Sequence, residues 1–135
     1  MTLDDVHSLL DAPSPAALVT YRPDGTVDLS PVWFHFTGSA FELVIAEGDP
    51  KLGHLAADPR AVLSIFETVP PFRGVKVAAD AQMITEGVTE VRLAMAERYL
   101  GSERGRRFVD GRGPGTVVRL SAARARVWDL SGILP

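Results

Sequence analysis

The segment Gly48-Asp49-Pro50-Lys51-Leu52 holds the most informative chemistry in the chain. Asp49 is a natural N-cap and Pro50 suits the first helical position, so a helix is expected to begin there. Lys51 then falls in the first turn, where the unsatisfied N–H groups already make the helix end positive and a cation is disfavoured. A bound phosphate would remove the conflict, because donors, dipole and ammonium would all favour one anion. The plain alternative is a solvated lysine that tolerates its position.

A second segment, Ser30-Pro31-Val32-Trp33-Phe34, sets a proline inside a strand pattern and follows it with aromatics. Pro31 cannot donate to a ladder, so the strand must bulge or change partner there. Backbone groups freed in this way, beside a flat apolar wall, would suit a planar ring. Trp33, Phe34 and Phe36 as ordinary core residues are the competing explanation. His7, His35 and His54 fall on different elements without metal-ligand spacing, so no metal site is expected. Tyr21 and Tyr99 are possible proton donors, though one hydrogen bond to a buried tyrosine explains either equally well. Arg104, Arg106 and Arg107 read as a solvated helix face, with attraction for an acidic ligand as the alternative. No acid/base pair stands out, and the catalytic residue is unknown at this level.

These residues need elements to hold them. Thr2 is expected to cap a helix from Leu3 to about Leu10, stopped by Pro13 and Pro15. Ala16 to Tyr21 and the alternating residues from Val27 to Phe36 read as strands about the turn Pro23-Asp24-Gly25. Ala40 to Ala46 is a third strand, Pro50 to about Ala57 a helix closed by Asp58-Pro59, and Ala61 to Glu67 a fourth strand. The Val69-Pro70-Pro71-Phe72 segment must loop, and Gly74 to Ile84 is a fifth strand. Thr85 or Thr89 is placed as the cap of a helix ending at Leu100, with Val88, Val91, Met95 and Tyr99 at helical spacing. A short helix from Ser102 to Val109, a connector at Gly111 to Gly115, and strands over Thr116 to Leu120 and Arg124 to Leu130 complete the chain. Six or seven strands with tight turns, mostly antiparallel and carrying peripheral helices, favour a closed barrel.

Bulk properties narrow the function classes. A chain of 135 residues is read as one domain spanning 1–135, long enough to bury a real core. Net charge is −3, against the basic surface that nucleic acid or an anionic membrane would favour. Absence of cysteine removes disulfides and thiolate metal sites. The acidic start MTLDDV lacks the basic residues of a secretory signal, and the apolar runs are too short to span a bilayer, so a cytoplasmic location is expected. Only Lys51 and Lys76 are lysines, against twelve arginines, a bias explained by genomic base composition.

The run ALVTYRPDGTVDLSPVWFHF, followed by PKLGHLAADPRAVLSIF, the RYLG helix end and the terminal VVRL and VWD strands, resembles the pyridoxamine 5′-phosphate oxidase-like superfamily of split β-barrels. More narrowly it is similar to the small flavin/deazaflavin oxidoreductases abundant in actinobacteria. Order and spacing over most of the chain carry the likeness. The resemblance implies a homodimer with two cofactor sites in grooves between subunits. It also implies that Pro31, Val32 and Trp33 lie along the cofactor ring, with Lys51 and the adjoining Leu52 at its phosphate. Ser64 and Lys76 are carried over as further cofactor contacts. The implied cofactor is FMN or F420, with FMN ranked first. The implied activity is hydride transfer to a small organic substrate, and a non-catalytic flavin- or haem-sequestering protein is the alternative. Two positions depart from the pattern: Ala46 stands where a hydroxyl residue is frequent before the phosphate turn, and His54 where asparagine is frequent. No basic cluster for a second, substrate phosphate is legible.

Overall fold

In the computed structural model, which describes residues 1–135, nine strands form two antiparallel sheets. The N-terminal segment is a 3-10 turn, Leu3–Val6, followed by α1, His7–Asp11, with Thr2 at the cap and its N–H on the Asp5 carboxylate at 2.6 Å. β1 (Ala16–Tyr21) and β2 (Val27–Val32) form a hairpin. The Asp24 side chain accepts from the Thr26 N–H at 2.9 Å, and Gly25 takes φ +87°, which a Cβ would disfavour. β3 (His35–Phe36) and β4 (Ala40–Ala46) follow, then α2 (Pro50–Ala57) and β5 (Arg60–Phe66).

The fifth predicted strand is two. β6 (Gly74–Asp80) ends at Ala81, whose N–H turns to the Pro59 carbonyl at 2.7 Å, and β7 (Gln82–Ile84) joins the other sheet. The strand after the first hairpin also divides. β2 pairs with β1 as far as Val32, and the chain then crosses at Trp33-Phe34 to pair β3 with β4. Pro31 itself stays in register opposite Ala17, which is tolerated because β2 is an edge strand. These two crossings raise the strand count above the six or seven expected. They also join the sheets into a split barrel.

The five-stranded sheet runs β2-β1-β5-β6-β9 and the four-stranded sheet β3-β4-β8-β7, where β8 is Gly115–Ser121 and β9 Arg126–Trp128. The core lies between them, built from Leu18, Leu63, Ile65, Val75 and Val77 on one side and Phe41, Leu43, Ile45, Val118 and Leu120 on the other. Strict alternation along β1 and β5 buries Leu18 and Leu63 and turns Val19 and Val62 outward. α2 closes the barrel through Leu55, and the Thr20 hydroxyl lies 3.0 Å from His54 Nδ1, tying the helix to β1.

α3 (Val88–Leu100) and α4 (Ser102–Asp110) pack as a hairpin on the four-stranded sheet. Neither Thr85 nor Thr89 caps α3; Gly87 does, at φ +72° and without a side-chain bond, so the predicted cap is corrected. Gly105 sets how closely the helices approach. A Cβ there would meet Glu97 N at 2.8 Å and the Ala96 carbonyl carbon at 3.0 Å, both backbone atoms that cannot swing aside.

Gly105→Ala is therefore expected to lower stability by about 1–3 kcal/mol, as overpacking does. Gly53→Ala has the opposite expectation: the site is exposed within α2 with open space around a Cβ, and Ala should add about 0.5–1 kcal/mol. Urea unfolding of both variants beside the parent chain measures the two signs.

Candidate functional site

A cavity of ≈ 600 Å³ opens where β2 leaves one sheet for the other, between the start of α2 and the α3–α4 hairpin. Pro31, Val32, Trp33 and Lys51 all line it, so the structure brings together four of the seven residues expected at a cofactor. Leu52 points instead toward the core. Ser64 and Lys76 lie in a row across the five-stranded sheet, Pro31–Ala17–Ser64–Lys76–Arg126, on its outer face and outside the cavity.

Lys51 is held in place by its own cap. The Asp49 carboxylate accepts from the Lys51 N–H at 2.9 Å and lies 3.3 Å from Nζ through each oxygen. The side chain of Lys51 is only 17% exposed, so the ammonium is directed along the cavity wall rather than into bulk solvent. Asp49 thus supplies much of the negative charge that the misplaced cation needs. Ala46, the first departure from the family pattern, lines the same wall and offers no hydroxyl. The second, His54, is occupied by Thr20 and is absent from the lining.

The opposite wall is aromatic. Trp33 stacks on Tyr99 with ring centroids 5.0 Å apart at 11°, and Phe108 tilts against it at 5.1 Å. Three backbone carbonyls fix this stack. The Tyr99 hydroxyl donates to the Ser14 carbonyl at 3.0 Å and accepts from Arg98 Nη1 at 3.0 Å. Arg98 Nη1 also donates to the Phe34 carbonyl at 2.8 Å, and Nη2 donates to the Ala12 carbonyl. The Arg98 guanidinium lies 4.0 Å from the centroid of the Phe34 ring, which offsets part of the cost of a buried Nε left without a partner. Burial lowers the Arg98 pKa and raises that of the Tyr99 phenol, so Tyr99 keeps its proton on Ser14 rather than serving as a free acid.

Two further cations in the cavity had no place in the sequence reading. Arg92 of α3 is 7% exposed, and Arg112, just beyond α4, lies over the Phe108 ring at 4.3 Å. The signal for Arg92 was present: with Val88, Met95, Ala96 and Tyr99 it falls on one helical stripe, and a cation inside an apolar stripe demands a partner or a ligand. The Arg104, Arg106, Arg107 cluster is exposed on α4 and absent from the cavity. Three cations therefore face one carboxylate, in a space of the size that small-molecule sites occupy. A ring along Pro31–Val32 with a phosphate toward Lys51 fits this lining.

The pyridoxamine 5′-phosphate oxidase family model matches residues 2–129, and the chain belongs to that family. No curated protein matches the sequence. Among solved structures, the conserved hypothetical protein Rv2991 from Mycobacterium tuberculosis superposes with a TM-score of 0.84 at 25% identity, covering 100% of this chain and 89% of that one. An F420 reductase gives 0.71 at 20% identity over 89% of this chain and 94% of that one. The heme storage protein HutZ from Vibrio cholerae gives 0.69 at 14% identity over 96% and 95%. The last two likenesses establish the split-barrel fold.

Tyr99→Phe should keep the stack on Trp33 but cost about 1–3 kcal/mol through the lost bond to a part-buried carbonyl. The folded chain holds the phenolic proton to higher pH than the unfolded chain, so the Tyr99 contribution to stability is full below pH about 10 and declines as pH rises beyond it. Urea unfolding at pH 8, 10 and 11 should show a shallower alkaline decline in the variant than in the parent.

Proposed function

We propose that this member of the pyridoxamine 5′-phosphate oxidase family binds FMN or F420 and transfers a hydride between that cofactor and a small organic substrate. One observation carries the reading: a single cavity gathers Pro31, Val32, Trp33 and Lys51, the residues that the family resemblance assigns to ring and phosphate. Such a cofactor, when bound, supplies the hydride chemistry itself.

The chain's part is binding, orientation and exclusion of water. The β2 edge around Pro31 and Val32 gives the ring a rigid apolar wall, and Trp33, Tyr99 and Phe108 close the far side. Lys51, steered by Asp49, holds the phosphate. No side chain in the lining is poised to move a proton: Asp49 is engaged by Lys51, and Tyr99 is engaged by Ser14 and Arg98. That lining suits chemistry residing in the cofactor. FMN remains ahead of F420 because it needs only the phosphate at Lys51. The likeness to an F420 reductase supports the deazaflavin as the other choice. A non-catalytic protein that sequesters a flavin or haem is the second reading, favoured by the likeness to a heme storage protein. It would hold the cofactor without turning over in the presence of reductant and acceptor.

We place the second copy of a homodimer on the outer face of the five-stranded sheet. Val27 and Leu29 on β2 are 50% and 66% exposed, and Val19, Val62 and Ala78 continue the Leu29 row. No helix of this chain covers that face, and an apolar patch of this kind marks an interface. Ser64 and Lys76 lie within it, so a partner subunit is the means by which they reach a cofactor.

Lys51→Ala should weaken FMN binding by about 1–3 kcal/mol, as loss of a charge-assisted hydrogen bond does. Asp49→Asn, which keeps a capping side chain but frees the ammonium, should strengthen it. Fluorescence titration with FMN and with F420 measures both; an unchanged affinity in Lys51→Ala would show that the phosphate lies elsewhere, and no binding of either cofactor would overturn the function. Leu29→Lys should shift the chain from dimer to monomer in sedimentation equilibrium, while a parent chain that sediments as a monomer would remove the proposed interface.

A further inference from the structure

Arg92 is a buried cation with little compensation inside the chain. The residue is 7% exposed, and its hydrogen bonding within the chain is one bond, from Nη1 to the Gly113 carbonyl at 2.8 Å. No carboxylate lies within ion-pair distance of it, whereas Arg22, Arg60, Arg73 and Arg119 each have one. Nε and Nη2 are left with donors and without protein acceptors, on a side chain that lines the cavity. Space is reserved for this group: a Cβ on Gly115 would lie 2.7 Å from Arg92 Nη2 and 3.0 Å from the Ile45 carbonyl oxygen. Arg112 lines the same cavity, stacked on Phe108 and without an acidic partner, and the mutual repulsion of the two guanidiniums adds to the desolvation that lowers the Arg92 pKa. An isolated buried cation is costly unless something neutralises it. Guanidinium forks match carboxylates and phosphates in a bidentate geometry.

We propose that Arg92 and Arg112 form a second oxyanion subsite in the cavity, separate from Lys51, that binds a carboxylate or phosphate carried by an aromatic or conjugated molecule. The proposal rests on the cofactor reading above, which assigns the first anion to Lys51. The aromatic preference comes from Phe108 and the Trp33–Tyr99 stack beside the pair. Two sources share this chemistry: a co-substrate bearing its own acidic group, or the acidic tail that F420 has and FMN lacks. A basic pair of this kind is not legible in the sequence, since its two members are 20 positions apart and meet only in the fold.

The test uses benzoate and phenyl phosphate as probes, with benzyl alcohol as the neutral counterpart, titrated calorimetrically into the full chain with and without saturating FMN. Both anions should bind in preference to the alcohol and still bind beside FMN. Arg92→Gln and Arg112→Gln should each weaken them at least tenfold while leaving FMN affinity within threefold. Arg112 is exposed, so its variant tests the site even where Arg92→Gln fails to fold. Anion binding indifferent to both substitutions, or absent from the parent chain, would overturn the proposal. So would a loss of FMN affinity in the Arg112 variant as large as that in Lys51→Ala, since the pair would then serve the cofactor phosphate. F420 that excludes benzoate and loses affinity in Arg112→Gln would identify the second anion as the cofactor tail. Benzoate that binds beside F420 would identify a co-substrate. A chain that binds neither cofactor removes the redox function but leaves the benzoate titration as a direct reading of the arginine pair.

Discussion

The fold turns on one backbone carbonyl. Where the chain leaves β2 and enters β3, the residues Trp33 and Phe34 belong to neither ladder, and the Phe34 carbonyl is buried without a strand partner. A buried carbonyl in that state would destabilise the crossing. Arg98 supplies the donor from α3, and the same guanidinium reaches Ala12 after α1 and the Tyr99 hydroxyl beside it. One side chain thereby pins the N-terminal segment, the sheet crossing and the helical hairpin to each other. Trp33 is then positioned by its stack on Tyr99, and the two rings form one wall of the cavity.

Charge in the cavity follows from what those elements bring to it. α2 contributes a lysine already balanced by its capping aspartate, whereas α3 and the segment after α4 contribute arginines that are balanced by nothing. The cavity is thus divided into a neutralised end and an uncompensated end. At the first, an incoming anion adds to the charge of the capping Asp49 carboxylate. The second gains far more from an incoming negative group.

Much of this was legible in the linear sequence, and the reasons are local. β1, β4 and α2 have the boundaries that residue type predicts, because the Asp24-Gly25 turn, the apolar run from Ala40 and the Asp49-Pro50 start act through neighbouring residues alone. The break at Ala81 was not legible: its N–H is satisfied by Pro59, more than twenty positions away, and nothing near Ala81 announces it. The crossing was signalled at Pro31 but occurs at Trp33-Phe34, because an edge strand accommodates proline and only Arg98 makes the later carbonyl affordable. Lys51 was found through its conflict with a helix start. Arg92 was missed because helical spacing was counted on apolar residues, which passes over a cation embedded in the stripe.

Pro31 has a further consequence at the rim of the five-stranded sheet. β2 is an edge, and an edge with an unbroken row of N–H and C=O groups is a template on which strand after strand can assemble. Proline removes one donor from that row and fixes its own φ, so an incoming strand meets a gap in the ladder. A chain with Val27 and Leu29 open to solvent on the adjoining face is protected in this way from open-ended growth along its edge.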